Sequence, residues 1–391
     1  PKAQPAVLLS NDPRIPLKSF NNHLKSLSDA VFCTTVPARS NKRPCNDDAR
    51  EPRTVPKRSS TFFTCLMDYV RYIISLQDTN DYYRREAAHS LFFLWESRHM
   101  TRLISDDIAD IVEELDAFDA VTQEKTGHTL FEIACHAAGV AAIPRDLADS
   151  HPKAGVVPMT CGQGTIEGFA ESVAGILGHL GFQAFTTHQS DAAGVAEAFE
   201  TNADIVMMAD DNRFVALVPK TARVIDNAVA TGRGFAAALD FMADGLQGKK
   251  ALVIGCGPVG QSSAEALIHF GASVSVYDVD AGKGEDLIRA MYRSHGVQVV
   301  LEHSLERALD GHPFIIEATS SSAIIDENHL TPETRIAAPG MPLGISAAAY
   351  EKRRKHIFHD PLQTGVATMG LMAFKIQHSP DRNKENIFHA E

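Results

Sequence analysis

Residues 251–280 read ALVIGCGPVGQSSAEALIHFGASVSVYDVD, and this stretch decides the architecture of the chain. Four apolar residues, Ala251 to Ile254, run straight into Gly255-Cys256-Gly257-Pro258-Val259-Gly260. A helical stretch continues to Phe270, Gly271 breaks it, and a second apolar run through Val274, Val276 and Tyr277 ends at Asp278. Strand, glycine turn, helix, strand and acid in that order make a βαβ unit suited to a dinucleotide. Gly255 lets the chain turn tightly, Gly257 lets backbone approach a pyrophosphate, and Gly260 lets helix lie close on strand. Pro258 and Val259 open the helix, whose unpaired N–H groups and partial positive charge favour phosphate. Asp278, 18 residues past Gly260, stands where a carboxylate at a strand end grips ribose hydroxyls. A 2′-phosphate would be repelled there, so the expected cofactor is NAD rather than NADP.

Working outward, 391 residues give room for two or three domains. Hydrophobic and charged contents of 44% and 22% are ordinary for a globular chain. A net charge of −12 argues against a nucleic-acid binder and suits a cationic small-molecule substrate. No apolar stretch reaches the roughly 18 residues of a membrane span, and no signal peptide opens the sequence, so no membrane association is expected. Cys33, Cys45, Cys65, Cys135, Cys161 and Cys256 form no CxxC pair and read as reduced thiols of a cytoplasmic protein. The 17 histidines show no ligand spacing, so no metal is expected.

The chain changes character along its length. Residues 1–99 hold 15 basic and 10 acidic side chains, a net of +5, which leaves −17 for the rest. Up to about Ser60 the composition favours disorder, with two apolar helical segments between Thr61 and Trp95. Met100 is therefore expected to begin the working protein, after an extension of unknown role. From there the pattern is regular. Ser105 is a helix N-cap candidate ahead of Ile108, Ile111, Val112 and Leu115, and a second helix is predicted over Thr129 to Ala138. Strands are predicted at Val156–Met159, Phe182–Thr186 and Asp204–Met208, with a helix carrying Phe169, Val173, Ile176 and Leu177 between the first two. This is a small α/β domain, residues 100–226, ahead of a C-terminal Rossmann domain with a mostly parallel sheet, residues 227–376. A long helix from Asn227 to Leu246 joins them. Later apolar runs at Val297–Leu301, Phe314–Ile316, Ile336–Ala338 and His356–Phe358 complete the second sheet. A final helix over Thr364 to Phe374 is expected to swing back across the cleft, ahead of a disordered tail from Gln377.

Ligands of open α/β sheets lie beyond the carboxyl ends of the strands. Ala318-Thr319-Ser320-Ser321 and Pro339-Gly340-Met341-Pro342 end two of the later strands, and Thr319, Pro339 and Gly340 are candidates to line a nicotinamide. Thr160-Cys161-Gly162-Gln163-Gly164-Thr165 reads as a hydroxyl- and glycine-bearing loop at a helix N-terminus, able to hold a carboxylate or simply to make the turn. Glu171 lies in that helix, off its apolar stripe. Asp210-Asp211-Asn212 sets two carboxylates and an amide at a strand end, where they could hold an ammonium group and accept its proton, or cap a turn.

Val157-Pro158-Met159-Thr160-Cys161-Gly162-Gln163-Gly164, Met208-Ala209-Asp210-Asp211-Asn212, Glu317-Ala318-Thr319 and Pro339-Gly340-Met341-Pro342 together resemble the pyrrolysine synthase family, from about Met100 to Phe374. The resemblance implies NAD-dependent oxidation of 3-methylornithyl-N6-lysine, a dipeptide-like substrate. It also implies a five-membered imine formed with loss of ammonia, and a homodimer. It marks Asp210 and Asp211 as proton-handling acids, and Asn212 with Thr160, Cys161, Gly162, Gly164 and Glu171 as substrate contacts. The helix near Leu103 is implied to close over bound substrate. Cys161 stands where the family commonly has a serine, a stronger hydrogen-bond donor. Two alternatives stay open from the residues alone. One is another amino-acid dehydrogenase on the same plan, of shikimate or methylene-tetrahydrofolate type, although Lys125, Lys153 and Lys220 lie on no motif. The other is an NADH-responsive sensor that uses the basic first segment on DNA, although that segment shows no helix-turn-helix.

Overall fold

The computed structural model describes residues 103–140, 147 and 150–378. The expectations for residues 1–99, and for the tail beyond His378, lie outside the described residues. The chain forms two lobes, each built on one sheet. In the first, β1 (Lys153–Val157), β2 (Gln183–Thr186), β3 (Ile205–Ala209), β4 (Phe214–Val218) and β5 (Arg223–Asp226) lie in the order β2-β1-β3-β4-β5. β1 pairs in parallel with β2 and β3, whereas β4 is antiparallel to both its neighbours. Helices α1 (Ser105–Ile108), α2 (Leu115–Thr126), α3 (Leu130–Ala138), α4 (Phe169–His179) and α5 (Asp191–Glu200) belong to this lobe.

Neither β4 nor β5 is expected from the sequence: Asp210-Asp211-Asn212, read there as a strand end open to chemistry or to a turn, is the tight turn from β3 into antiparallel β4. Phe214 to Val218 nonetheless alternates between buried and half-buried residues, the period of a strand with one face on a core. Ser105 is not the N-cap of α1. The cap is Ile104, whose N–H donates to Asp107 Oδ2 at 2.9 Å.

The linker helix α6 (Asn227–Met242) leaves β5 at once, capped by Asp226, whose carboxylate accepts from Ala228 N at 2.9 Å. The second sheet then runs β6 (Lys250–Ile254), β7 (Ser273–Tyr277), β8 (Val300–Leu301), β9 (Phe314–Glu317), β10 (Arg335–Ala337) and β11 (Ile357–Phe358). The strands are all parallel, in the order β11-β10-β9-β6-β7-β8. From β6 the chain winds outward one way to β8 and then the other way from β9 to β11, the doubly wound Rossmann pattern. Its helices are α7 (Pro258–His269), α8 (Ala281–His295), α9 (Leu305–Gly311), α10 (Ala347–Arg353) and α11 (Gln363–His378).

The last helix crosses back as expected. Val366, Met369, Leu371, Met372 and Phe374 are buried in one cluster with Val173, Ile176 and Leu177 of α4 and with Phe214 of β4. The Rossmann lobe thus supplies a core helix to the first lobe. Glycines let α6 serve both sides. A Cβ at Gly232 would meet Val259 O of α7 at 2.6 Å, and one at Gly234 would meet Thr364 and Thr368 of α11. Among the described residues no helix is long and apolar enough to cross a membrane.

Candidate active site

β6 lies at the point where the winding reverses, and its glycine turn does what the spacing predicts. Gly255 has φ +94°, and a Cβ there would lie 2.6 Å from Ala318 O. A Cβ on Gly260 would be driven into Gly255 O, so helix and strand could not approach. Gly257 is different: nothing lies within 4 Å of its missing Cβ. That side of the turn is open space at the N-terminus of a helix of more than three turns, begun by Pro258 and Val259.

Asp278 follows β7 and reaches back to the turn, accepting from Cys256 N at 2.7 Å and from Asp280 N at 2.9 Å. The Cys256 thiol is buried, and burial together with the Asp278 charge pushes it up to about 12, so it stays protonated. Val279, beside Asp278, is 92% exposed, an apolar side chain left open at the rim of the site. These residues fit the phosphate and ribose demands of a nicotinamide dinucleotide. On the other side of β6, Thr319 donates from N and Oγ1 to Glu317 Oε1, at 2.9 and 2.6 Å. Gly340 N donates to Glu317 O at 3.0 Å, and Pro339 precedes it at the end of β10.

In the first lobe β1, β2, β3 and β5 point their carboxyl ends to one edge. The parallel register of β1 and β3 brings the loop after Val157 beside the turn after Ala209. Gln163 N donates to Asp211 Oδ2 at 2.8 Å, and Gly162 has no room for a Cβ because the Asp211 carboxylate fills it. Asp210 Oδ1 accepts from Asn212 N at 2.7 Å and Arg213 N at 2.8 Å, a turn-forming role. Thr160 is tied to Asp191 at the start of α5, its N–H at 2.8 Å from Oδ1 and its hydroxyl on Oδ2. Those two bonds hold the Asp191 carboxyl below its ordinary range. Thr160, Cys161, Gly162, Glu171, Asp210 and Asn212 are exposed, while Gly164 and Asp211 are half-buried.

The loop is not at a helix N-terminus, as expected from sequence. α4 starts only at Phe169, after Gly168 with φ +82°, so Thr160 to Gly164 gains nothing from that dipole, which fades within a turn. Glu171 is in the first turn of α4. Leu103 is half-buried against the first lobe's core, and Ser172 Oγ donates to Ile108 O at 3.3 Å, seating α1 on α4.

The two edges meet. Arg213 bridges to Asp226 through Nε and Nη2 at 3.0 and 2.8 Å, linking the acidic turn to the start of α6. There Asn227 and Thr231 line a cavity of about 30 Å³ together with Pro339, Asp360, Pro361 and Gly365. Asp360 is buried, accepts from Thr364 N and Oγ1 at 3.0 and 2.6 Å, and is held above its ordinary range by burial. Sequence reading missed Asn227, Thr231 and Asp360 as site residues. Asp360 carries the same signal as Thr319, a polar residue just past an apolar run. Of the lysines, Lys153 bonds Thr201 O and Lys220 pairs with Asp204, both at the sheet edge away from this cleft. Lys125 lies on α2, where burial and Arg354 keep it below its ordinary range.

The pyrrolysine biosynthesis protein PylD N-terminal domain matches residues 107–225, and a putative NAD(P)-binding domain matches residues 242–329. Pyrrolysine synthase of Methanosarcina barkeri is 30% identical over 272 residues, 69% of this chain and 97% of that protein. The Methanosarcina acetivorans enzyme is 30% identical over 275 residues, 69% and 98% of the two chains. Among solved structures, quinate dehydrogenase from Corynebacterium glutamicum in complex with NAD shares 14% identity at a TM-score of 0.40, covering 57% of this chain and 93% of that one. Shikimate dehydrogenase from Aquifex aeolicus shares 15% at 0.41, covering 59% and 93%. The two domain matches fall one on each lobe, the NAD(P)-binding one on the second. The chain is an oxidoreductase that uses a nicotinamide cofactor, and it belongs to the pyrrolysine synthase family.

Proposed function

We propose that the chain oxidises the terminal amine-bearing carbon of 3-methylornithyl-N6-lysine with NAD, the product closing to pyrrolysine with loss of ammonia. The observation that carries this reading is the pairing of Asp278 with the glycine turn, in a chain that matches nearly the whole length of two pyrrolysine synthases. A carboxylate at that strand end accepts from ribose hydroxyls and repels a 2′-phosphate, which favours NAD over NADP. Bound nicotinamide supplies the acceptor for the hydride.

The side chains of the first lobe do the rest. Asp210 spends Oδ1 on its own turn, which leaves Oδ2 to hold the substrate ammonium. Asp211 anchors the Thr160–Gly164 loop through Gln163 N and brings a second carboxylate to the same amines. Once the carbon is an iminium, the α-amine lone pair attacks it, and the acid pair carries the proton from the attacking nitrogen to the departing one. Ammonia leaves with the old C–N electrons, and the ring nitrogen gives up its last proton as C=N forms. Thr160, Cys161, Gly162, Gly164, Glu171, Asn212 and Leu103 surround the ornithyl and lysyl ends.

The test is direct. The protein incubated with NAD and the precursor yields NADH and free ammonia in equal amounts. Absence of NADH, or equal turnover with NADP, overturns the assignment.

A further inference from the structure

Glu317 has no part in that chemistry, yet it is the residue about which the second lobe's cleft is assembled. It ends β9 and is fully buried. Its register partner on β6 is Ile254, the residue before Gly255. Oε1 takes both donors of Thr319, and Oε2 takes Gly344 N at 3.1 Å. The backbone oxygen of Glu317 takes Gly340 N. Two glycines leave room for the carboxyl group: a Cβ on Gly340 would stand 2.5 Å from Oε2, and one on Gly344 would overlap Cδ.

Gly344, unlike Gly255, has no positive φ, so close approach to Glu317 is what excludes a side chain there. Burial pushes the carboxyl up while the three donors pull it down, and burial wins. Among the described residues no charged side chain offsets the cost. An apolar residue would pack here without that penalty but would take the acceptor from buried Gly344 N and from the two half-buried donors of Thr319.

We infer that Glu317 is a positioning residue: its carboxyl group ties the loop after β9 to the loop after β10 and so fixes the nicotinamide side of the cofactor cleft. The inference rests on the dinucleotide reading of the glycine turn. In a doubly wound sheet the β6–β7 side takes the adenosine half, and the strands beyond the reversal face the other half. Loss of the tie therefore weakens the hold on the nicotinamide half and spares the adenosine half.

Calorimetric titration of the full chain with NAD and with ADP-ribose, which lacks the nicotinamide, separates these effects. Glu317→Ala should raise the Kd for NAD about tenfold or more and leave ADP-ribose within about twofold. Glu317→Gln keeps the shape but sets an amide N–H against a backbone donor, and should fall between wild type and Glu317→Ala. Gly344→Ala strikes the same contact from the other loop and should behave like Glu317→Ala, which keeps the test alive if the first variant fails to fold. Equal weakening of both ligands, or no change in either, overturns the positioning role. Failure of the wild-type chain to bind ADP-ribose overturns the reading of the glycine turn instead.

Discussion

The two edges of the cleft are fixed by different means. In the second lobe the glycine turn is set by steric exclusion: Gly255 against Ala318 at the end of the neighbouring strand, Gly260 against Gly255. In the first lobe the Thr160–Gly164 loop is set by exposed hydrogen bonds to carboxylates 31 and 48 residues away, Asp191 on Thr160 and Asp211 on Gln163. One is rigid because atoms cannot overlap. The other holds because hydrogen bonds persist in water, where each is worth little. On the proposed assignment, the cofactor side is thus preformed, and the substrate side is the more adjustable of the two.

The largest effect should come from breaking the steric side. Gly260→Ala forces a methyl into Gly255 O, and overpacking of this kind costs about 1–3 kcal/mol or more. Binding of NAD should vanish and the melting temperature should fall. Gly257→Ala is the control, since no protein atom lies within 4 Å of the added methyl. It should melt like wild type yet bind NAD at least tenfold more weakly. If both variants lose stability together, the open space at Gly257 has no ligand to explain it.

Next comes the acidic turn. Asp210→Ala removes both the turn acceptor and the charge. Asp210→Asn keeps an oxygen for Asn212 N and Arg213 N and removes only the charge. If the carboxylate holds an ammonium, the asparagine variant melts normally and loses about a hundredfold in kcat/KM, near the loss expected for one charged contact. Full activity in that variant would return Asp210 to the role of a turn residue.

This asymmetry also governs what the sequence reveals. Gly255, Gly257, Gly260 and Asp278 sit within 24 consecutive residues, and each needs its residue type for a local reason, so the cofactor side can be read without coordinates. The first lobe's restraints join positions that only the sheet brings together. Asp191 looked like any acid opening a helix, yet it adopts φ +52° and binds Thr160. The β3–β4 hairpin is hidden because its turn residues, Asp210 to Asn212, are also good candidates for chemistry. Asp360 and Asn227 are hidden for a third reason: 133 residues apart, one after the last strand and one at the start of the linker helix, they come together only in the folded chain.

A smaller effect is expected at Asp191 itself. Alanine removes the acceptor for Thr160 and strains a left-handed backbone position, whereas asparagine tolerates that position and keeps an oxygen. Asp191→Ala should raise KM for the precursor a few-fold with kcat nearly unchanged, and Asp191→Asn should restore most of it. A fall in kcat at constant KM would place Thr160 in the chemistry and not in substrate docking.

The smallest effect distinguishes the two edges without touching turnover. Cys161 is exposed in the adjustable loop, and Cys256 is buried in the fixed turn. Alkylation needs the thiolate, and Cys256 is neutral until about pH 12, both because apolar surroundings oppose its charge and because Asp278 repels it. At pH 8 iodoacetamide should therefore label Cys161 within minutes and leave Cys256 unmodified in the folded chain, as read by peptide mass spectrometry. Saturating NAD should not alter labelling of Cys161, whereas the precursor should slow it, because only the precursor occupies that loop. Protection by NAD alone would mean that cofactor binding already closes the first lobe, and the contrast between a fixed and an adjustable edge would fail.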